Sequence, residues 1–325
     1  MAITGLGANV RIDQGFLKLP PMPPLFLIDA SIYIFRAWFS VDESLRDEAG
    51  DPANAVYGYA RFLLDFLDGT RPAHALAAFD ESLTTCFRND FYPAYKANRP
   101  EAPADLKRQI ALCQAFTRAL GVHTLSSARF EADDLIGSAA RRFRRDGFCM
   151  RFLTADKDYA QLLEPGDRLW DAGGRRNLDC DGVLENLGVR PDQIADFLAL
   201  AGDSVDNIPG VPGIGPRTAT VLLRELDCLD GIYRHLEAVP GLPLRGAART
   251  ARLLAEHRDQ AELSRRLATI HCEVPLECDI GDISLSPPDS EALRQLALPA
   301  GTRRRALAWM ERRRPRQGEL REHVV

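Results

Sequence analysis

The chain has 325 residues, 46% of them hydrophobic and 27% charged, with a formal net charge of −5 at pH 7. That is enough apolar material for one large or two modest domains, and no run of about 18 apolar residues is present to span a bilayer. The seven cysteines are odd in number, scattered and never spaced as Cys-x-x-Cys, which argues against a zinc ribbon or a disulfide framework and for a reducing cytoplasm.

The first 24 residues hold Gly and Pro with little periodicity and read as a loose tail without a signal peptide's charge pattern. Residues 25–28 form a short apolar run ending at Asp29, a buried strand, and 32–39 continue apolar into a helix. An acidic turn follows over 42–51, then an amphipathic helix over 55–67, stopped near Gly69 and Pro72. Residues 74–79 are a second strand, again ending in an acid, Asp80. From 82 to 105 the periodicity is lost: Arg88, Lys96 and Arg99 are interleaved with Phe87, Phe91, Tyr92 and Tyr95, and three prolines prevent a long helix. A helix is expected over 106–120, ended by Gly121, and Glu131-Ala-Asp-Asp134 opens another with acids in its first turn. A third strand over 150–153 leads into Thr154-Ala-Asp-Lys-Asp158.

Three strands alternating with helices predict an α/β fold built on a mainly parallel sheet, with its crevice beyond the carboxyl ends of the strands. From about 183 the pattern becomes helical, with helices over 191–201 and 218–226 separated by Gly210-Val-Pro-Gly-Ile-Gly215. The expected division is a tail to 24, an α/β domain over 25–182, a helical region over 183–286 and a basic tail over 287–325.

Nine acids fall where a metal site would be built: Asp29, Asp80, Glu131, Asp133, Asp134, Asp156, Asp158, Asp203 and Asp206. Glu131 and Asp134 share a helical face, as do Asp203 and Asp206, and Asp156 and Asp158 share a side of an extended segment. A lone acid after a strand is usually a cap or turn residue. Three strand-end acids together with three acid clusters suit two hard cations, Mg²⁺ or Mn²⁺, placed for phosphoryl chemistry. The negative net charge does not exclude nucleic acid: without these nine the chain is net positive, and bound ions would compensate them.

These residues resemble the bacterial 5′–3′ exonuclease or flap endonuclease family, which includes the N-terminal nuclease domain of bacterial DNA polymerase I. The resemblance rests on Leu27-Ile-Asp29, Ala78-Phe-Asp80, Tyr95-Lys-Ala-Asn-Arg99, Glu131-Ala-Asp-Asp134, Leu153-Thr-Ala-Asp-Lys-Asp158, Gly202-Asp-Ser-Val-Asp-Asn207 and the 210–215 turn, in the family's order. It implies a PIN-like fold with a helix-hairpin-helix over 205–226 and an arch or clamp over 82–105. Asp29, Asp80, Glu131, Asp133 and Asp156 would then ligate the first ion. Asp158, Asp203 and Asp206 would go with the second, and Asp134 lies adjacent to both sets. Lys96 and Arg99 would meet the scissile phosphate. Arg88, Tyr95, Phe35 and Arg36 would guide the 5′ strand, with core packing a competing role for Phe35. Gly210, Gly213, Ile214, Gly215 and Arg217 would grip duplex phosphates, with a potassium ion at the turn. The implied partner is DNA with 5′ flaps, nicks or branches, cut by a monomer without a polymerase domain. The family often has Gly after the first aspartate; Ala30 stands here. Three other readings remain: a PIN-type RNA nuclease, which would usually lack the hairpin; a non-catalytic junction-binding protein; and a small-molecule phosphohydrolase.

Overall fold

The computed structural model describes residues 22–82, 85–171 and 176–313. The first strand, β1 (Pro24–Asp29), is followed at once by α1 (Ala30–Ser40) and then α2 (Asn54–Thr70). Next come β2 (His74–Asp80), α3 (Ala104–Ala119), β3 (His123–Ser127), α4 (Ala132–Arg145), β4 (Cys149–Leu153), β5 (Arg168–Asp171) and β6 (Arg176–Leu178). They form a six-stranded sheet in the order β3-β2-β1-β4-β5-β6, parallel except for the β5–β6 pair. β1 pairs with β2 on one side and β4 on the other, so the strand order reverses beside it, and a ligand crevice belongs outside the carboxyl ends of β1 and β4.

The central strands read as unbroken apolar runs because both faces are covered. Leu25, Leu27, Leu76 and Ala78 face α4 and the C-terminal helices, whereas Phe26, Ile28, Ala75 and Ala77 face α1, α2 and α3. The expected strands at 25–28, 74–79 and 150–153 are all present. β3 escaped notice because His-Thr-Leu-Ser-Ser is a half-exposed edge strand without an apolar run. β5 and β6 were missed because four and three residues are too few to show a period.

The helical part comprises α5 (Cys180–Leu187), α6 (Ile194–Ala201), α7 (Pro216–Leu226), α8 (Leu229–Arg234), α9 (Ala247–Glu256) and α10 (Arg258–Ala268). Three more helices follow: α11 (Ile280–Ile283), α12 (Ser290–Gln295) and α13 (Ala300–Arg313). α7 starts two residues earlier than the periodicity suggests, because Pro216 occupies the first helical position, where its missing N–H costs nothing. The described part of the expected basic tail is not a tail. Trp309, Met310 and Ala306 of α13 are buried against the α2 side of the core. Arg305 and Arg312 pair with Asp65 and Asp68 of α2, and Arg303 with Glu48, so these arginines neutralise the protein's own acids. Residues 1–21 and 314–325 lie outside the described residues. No helix among the described residues is long and apolar enough to cross a membrane.

Candidate metal centre

Acids from separate elements converge beyond the sheet. Asp29, at the end of β1, caps α1 by accepting the Ile32 N–H through Oδ1 at 3.2 Å, and its Oδ2 accepts the Thr154 hydroxyl at 2.9 Å. Asp80, at the end of β2, accepts the Ala132 N–H at 2.8 Å, which ties that strand end to the start of α4. The Ser31 hydroxyl in turn accepts the Asp80 N–H at 3.0 Å. In the first turn of α4, oxygens of Glu131, Asp133 and Asp134 lie within 4.8 Å of one another. After β4, Asp156 accepts the Asp158 N–H at 2.9 Å, which folds the Thr154–Asp158 loop back on itself.

The 82–105 segment is folded onto these acids. The Lys96 ammonium pairs with Glu131 and lies 3.4 Å from Asp206. The Arg99 guanidinium meets Asp206 at 2.6 Å, and Lys157 meets Asp203 at 3.1 Å. Lys96 has a φ of 54°, a left-handed conformation that costs roughly 1–2 kcal/mol for a side chain of this kind. Its own N–H to the Asp206 carbonyl, the Asn207 amide to the Ala94 carbonyl and the Asn98 amide to the Ser204 carbonyl hold it there. One cationic segment therefore joins the acids of α4 to those that follow α6.

Several expected roles change. Arg88 does not reach out to a strand: it is 1% exposed. Its guanidinium bonds Glu131 at 2.7 Å and both oxygens of Asp134 at 2.8 and 2.9 Å, and it also donates to the Leu267 and Thr269 carbonyls. Asp134 lies within the acid group by distance, yet its oxygens are committed to Arg88, the Glu131 N–H and the His271 N–H. Tyr95 does not reach out to a strand either. It is 2% exposed, and its hydroxyl lies between Glu131 at 3.1 Å and Asp206 at 3.2 Å. Phe91 is covered by the Arg266 guanidinium. Phe35 packs half-buried against the core, while Arg36 is exposed and paired with Asp171 at 3.0 Å.

The glycine turn divides likewise. Gly210 is buried, its N–H donates to the Ser264 hydroxyl and its carbonyl accepts the Gln260 amide, so its backbone is spent inside the protein. A Cβ there would stand 2.3 Å from the Gly202 nitrogen. The Ile214 side chain is also buried. Gly213, Gly215 and Arg217 are exposed, and Gly215 immediately precedes the first turn of α7, a helix start of the kind that can receive an anion. Thr154, Ser31 and Lys157 were not singled out from sequence; all three lie beside a strand-end acid or next to one in the chain.

Crowding shapes the electrostatics. Burial, then repulsion from Asp80 and Asp156, pushes the Asp29 carboxyl up to about 7. Burial, then Asp156, pushes Asp158 up to about 8. Asp133 is raised by burial and by Asp134. Glu131 goes the other way: burial acts to raise it, but the Lys96 and Arg88 cations together hold it down at about 2. Asp158 Oδ1 is buried with no hydrogen-bond partner among the described residues. An all-oxygen set, mutually repelling and with an unpartnered carboxylate oxygen, fits hard divalent cations.

Residues 24–188 match the family model described as 5′-3′ exonuclease, N-terminal resolvase-like domain, and residues 189–291 match 5′-3′ exonuclease, C-terminal SAM fold. The 5′-3′ exonuclease of Buchnera aphidicola is 31% identical over 262 residues, covering 81% of this chain and 91% of that protein. DNA polymerase I of Pseudomonas aeruginosa is 41% identical over 271 residues, 83% of this chain but only 30% of the polymerase, so the chain spans under a third of that relative. In fold, the T5 5′-exonuclease with bound zinc superposes with a TM-score of 0.63 at 18% identity, over 89% of this chain and 98% of that one. The catalytic core of Rad2 in complex with DNA substrate gives a TM-score of 0.56 at 16% identity, over 89% and 93%. Through both domain models and a relative matched over nearly its full length, this chain belongs to the 5′–3′ exonuclease family.

Proposed function

We propose that this protein hydrolyses DNA phosphodiester bonds at 5′ ends and 5′ flaps, using two Mg²⁺ or Mn²⁺ ions. The observation that carries the reading is the convergence of Asp29, Asp80, Glu131 and Asp133 at the strand-order reversal of the sheet. Asp29, Asp80, Glu131, Asp133 and Asp156 would hold the first ion, and Asp158, Asp203 and Asp206 the second. Divalent ions in such a site supply Lewis acidity, lowering the pKa of water and offsetting charge on the phosphate oxygens.

The chain's own groups do the rest. Lys96 and Arg99 have carboxylate partners at Glu131 and Asp206 and would exchange them for phosphate oxygens, a geometry that suits the Arg99 guanidinium especially. Thr154 and the Ile32 N–H fix both oxygens of Asp29, so its orientation is set before substrate arrives. Asp134, through Arg88, orients Glu131 rather than serving as a ligand. Gly213, Gly215 and Arg217 would hold duplex phosphates without reading bases. Potassium at the turn would need carbonyls other than that of Gly210, which Gln260 occupies. Trading cation–carboxylate contacts for phosphate contacts is a reason for a nuclease of the bacterial cytoplasm to bind weakly until a divalent ion is present.

The test is digestion of labelled flaps, nicks, blunt duplexes and single strands with Mg²⁺, Mn²⁺ or EDTA, beside Asp156→Ala and Asp203→Ala. Cleavage of flapped substrates that needs the metal and fails in both variants is expected. Full activity in both variants would sink the two-ion mechanism, and binding without cleavage would favour a junction-binding protein.

A further inference from the structure

Tyr159 follows Asp158 in the turn after β4 and is 2% exposed, yet its hydroxyl has no hydrogen-bond partner among the described residues. A phenol oxygen removed from water without a partner costs about 1–3 kcal/mol, and such groups are uncommon in folded proteins. Tyr95 illustrates the usual outcome, since its buried hydroxyl is shared by Glu131 and Asp206.

The surroundings of Tyr159 say where a partner belongs. Its ring packs beside Phe152 of β4, with centroids 6.3 Å apart, which anchors it under the end of that strand. Burial, then the charges of Asp29, Asp133, Asp80 and Asp156, holds the phenol well above its ordinary range. These acids come from β1, α4, β2 and the loop after β4, and the turn that carries Tyr159 packs against α4, whose first turn holds Glu131 and Asp133. The neighbouring Asp158 contributes a second buried oxygen, Oδ1, without a partner among the described residues.

We propose that the Tyr159 hydroxyl is a positioning group of the acidic centre, donating a hydrogen bond into the hydration shell of the divalent ion held there. This deepens the proposed reading and rests on it only for the ion. A phenol suits the task, because it donates without adding charge to a site already crowded with carboxylates. Thr154 and the Ile32 N–H fix the Asp29 side of the cluster, and Tyr159 would fix the water on the side facing the core. Groups that orient a metal's ligands and waters typically change affinity or turnover by about 10–100-fold when removed.

The test is Tyr159→Phe, which keeps the ring and removes the donor, read by Mn²⁺ titration with electron paramagnetic resonance and by cleavage of a 5′-flap DNA. Mn²⁺ affinity and kcat are each expected to fall about tenfold or more, with KM for DNA within about twofold and no loss of thermal stability. Phe152→Leu disturbs the packing around the ring while leaving the hydroxyl, and should keep Mn²⁺ affinity near wild type. Unchanged Mn²⁺ affinity in Tyr159→Phe overturns the proposal. Equal losses in both variants also overturn it, since packing would then account for them. Should the wild-type protein bind Mn²⁺ but cut no DNA, the nuclease reading fails, and the titration alone still decides the role of Tyr159.

Discussion

Arg88→Met should unfold this protein far more readily than its place among the cations of the 82–105 segment would suggest. The substitution keeps most of the side chain's length and removes only the guanidinium. Asp134, 0% exposed, then loses its bidentate partner, and two carbonyls in the 267–269 stretch lose donors. Breaking a buried ion pair by removing one partner costs about 3–5 kcal/mol, and a stranded carbonyl adds about 1 kcal/mol or more if water cannot reach it. A total of at least about 4 kcal/mol, with a urea m value of about 3 kcal/mol/M, shifts the unfolding midpoint by more than about 1 M. Urea titrations followed by circular dichroism measure that shift, and pairing Arg88→Met with Asp134→Leu should recover over half of it. A midpoint within about 0.3 M of wild type, or no recovery in the double variant, would refute the assignment of Arg88 to the core. A surface arginine would cost well under 1 kcal/mol.

Other outcomes follow from the same geometry. Lys96→Ala with Arg99→Ala should lower the salt slope of flap binding by about 1.5 when Ca²⁺ replaces the catalytic ion, and by less in EDTA, where Glu131 and Asp206 keep these cations; equal slopes with and without metal would contradict the exchange. Arg305→Gln with Arg312→Gln should leave that slope unchanged, because both side chains are paired to α2; a fall near 2 would mean that these arginines meet DNA phosphates instead. Gly210→Ala should cost more than about 2 kcal/mol in thermal unfolding, since φ is 61° and the new carbon meets backbone, whereas Gly215→Ala meets nothing within 4 Å and should fold normally while weakening duplex binding by fluorescence anisotropy. Asp29→Asn should raise the melting temperature in EDTA and erase most of the rise that Mg²⁺ gives the wild type, as calorimetry would show; a lower melting temperature would mean that the acids are not in net repulsion.

The acids could be read from sequence because each ends an apolar run or opens a helix, and parallel-sheet geometry then places strand ends together. What could not be read was which cation faces which partner. Arg88, Lys96 and Arg99 are all cations set among aromatics in one segment, yet one is entombed against Asp134 and another half-exposed beside Asp206. Asp206 is more than 100 positions from Arg99, and only the fold pairs them. The aromatics were ambiguous for a related reason: Tyr95 and Phe91 flank basic residues, as a strand-binding surface would, but they cover the site's own core. The arginine runs near the end of the chain likewise look ready for phosphate until α2 brings Asp65 and Asp68 beside them.

The contact between Gly202 and Gly210 has a mechanical meaning. Asp203 and Ile208 exchange backbone hydrogen bonds at 2.9 and 2.7 Å, so the chain between the two glycines is a closed loop with no slack. Asp203 and Asp206 lie within it, and the exposed glycines of the turn follow a few residues on. If the turn grips the duplex while these acids serve the cut, the loop is a ruler, and the distance from grip to scission is built into the chain. A single residue inserted at the exposed positions 204–205 would then move the cut along the DNA, or abolish it, without weakening the grip.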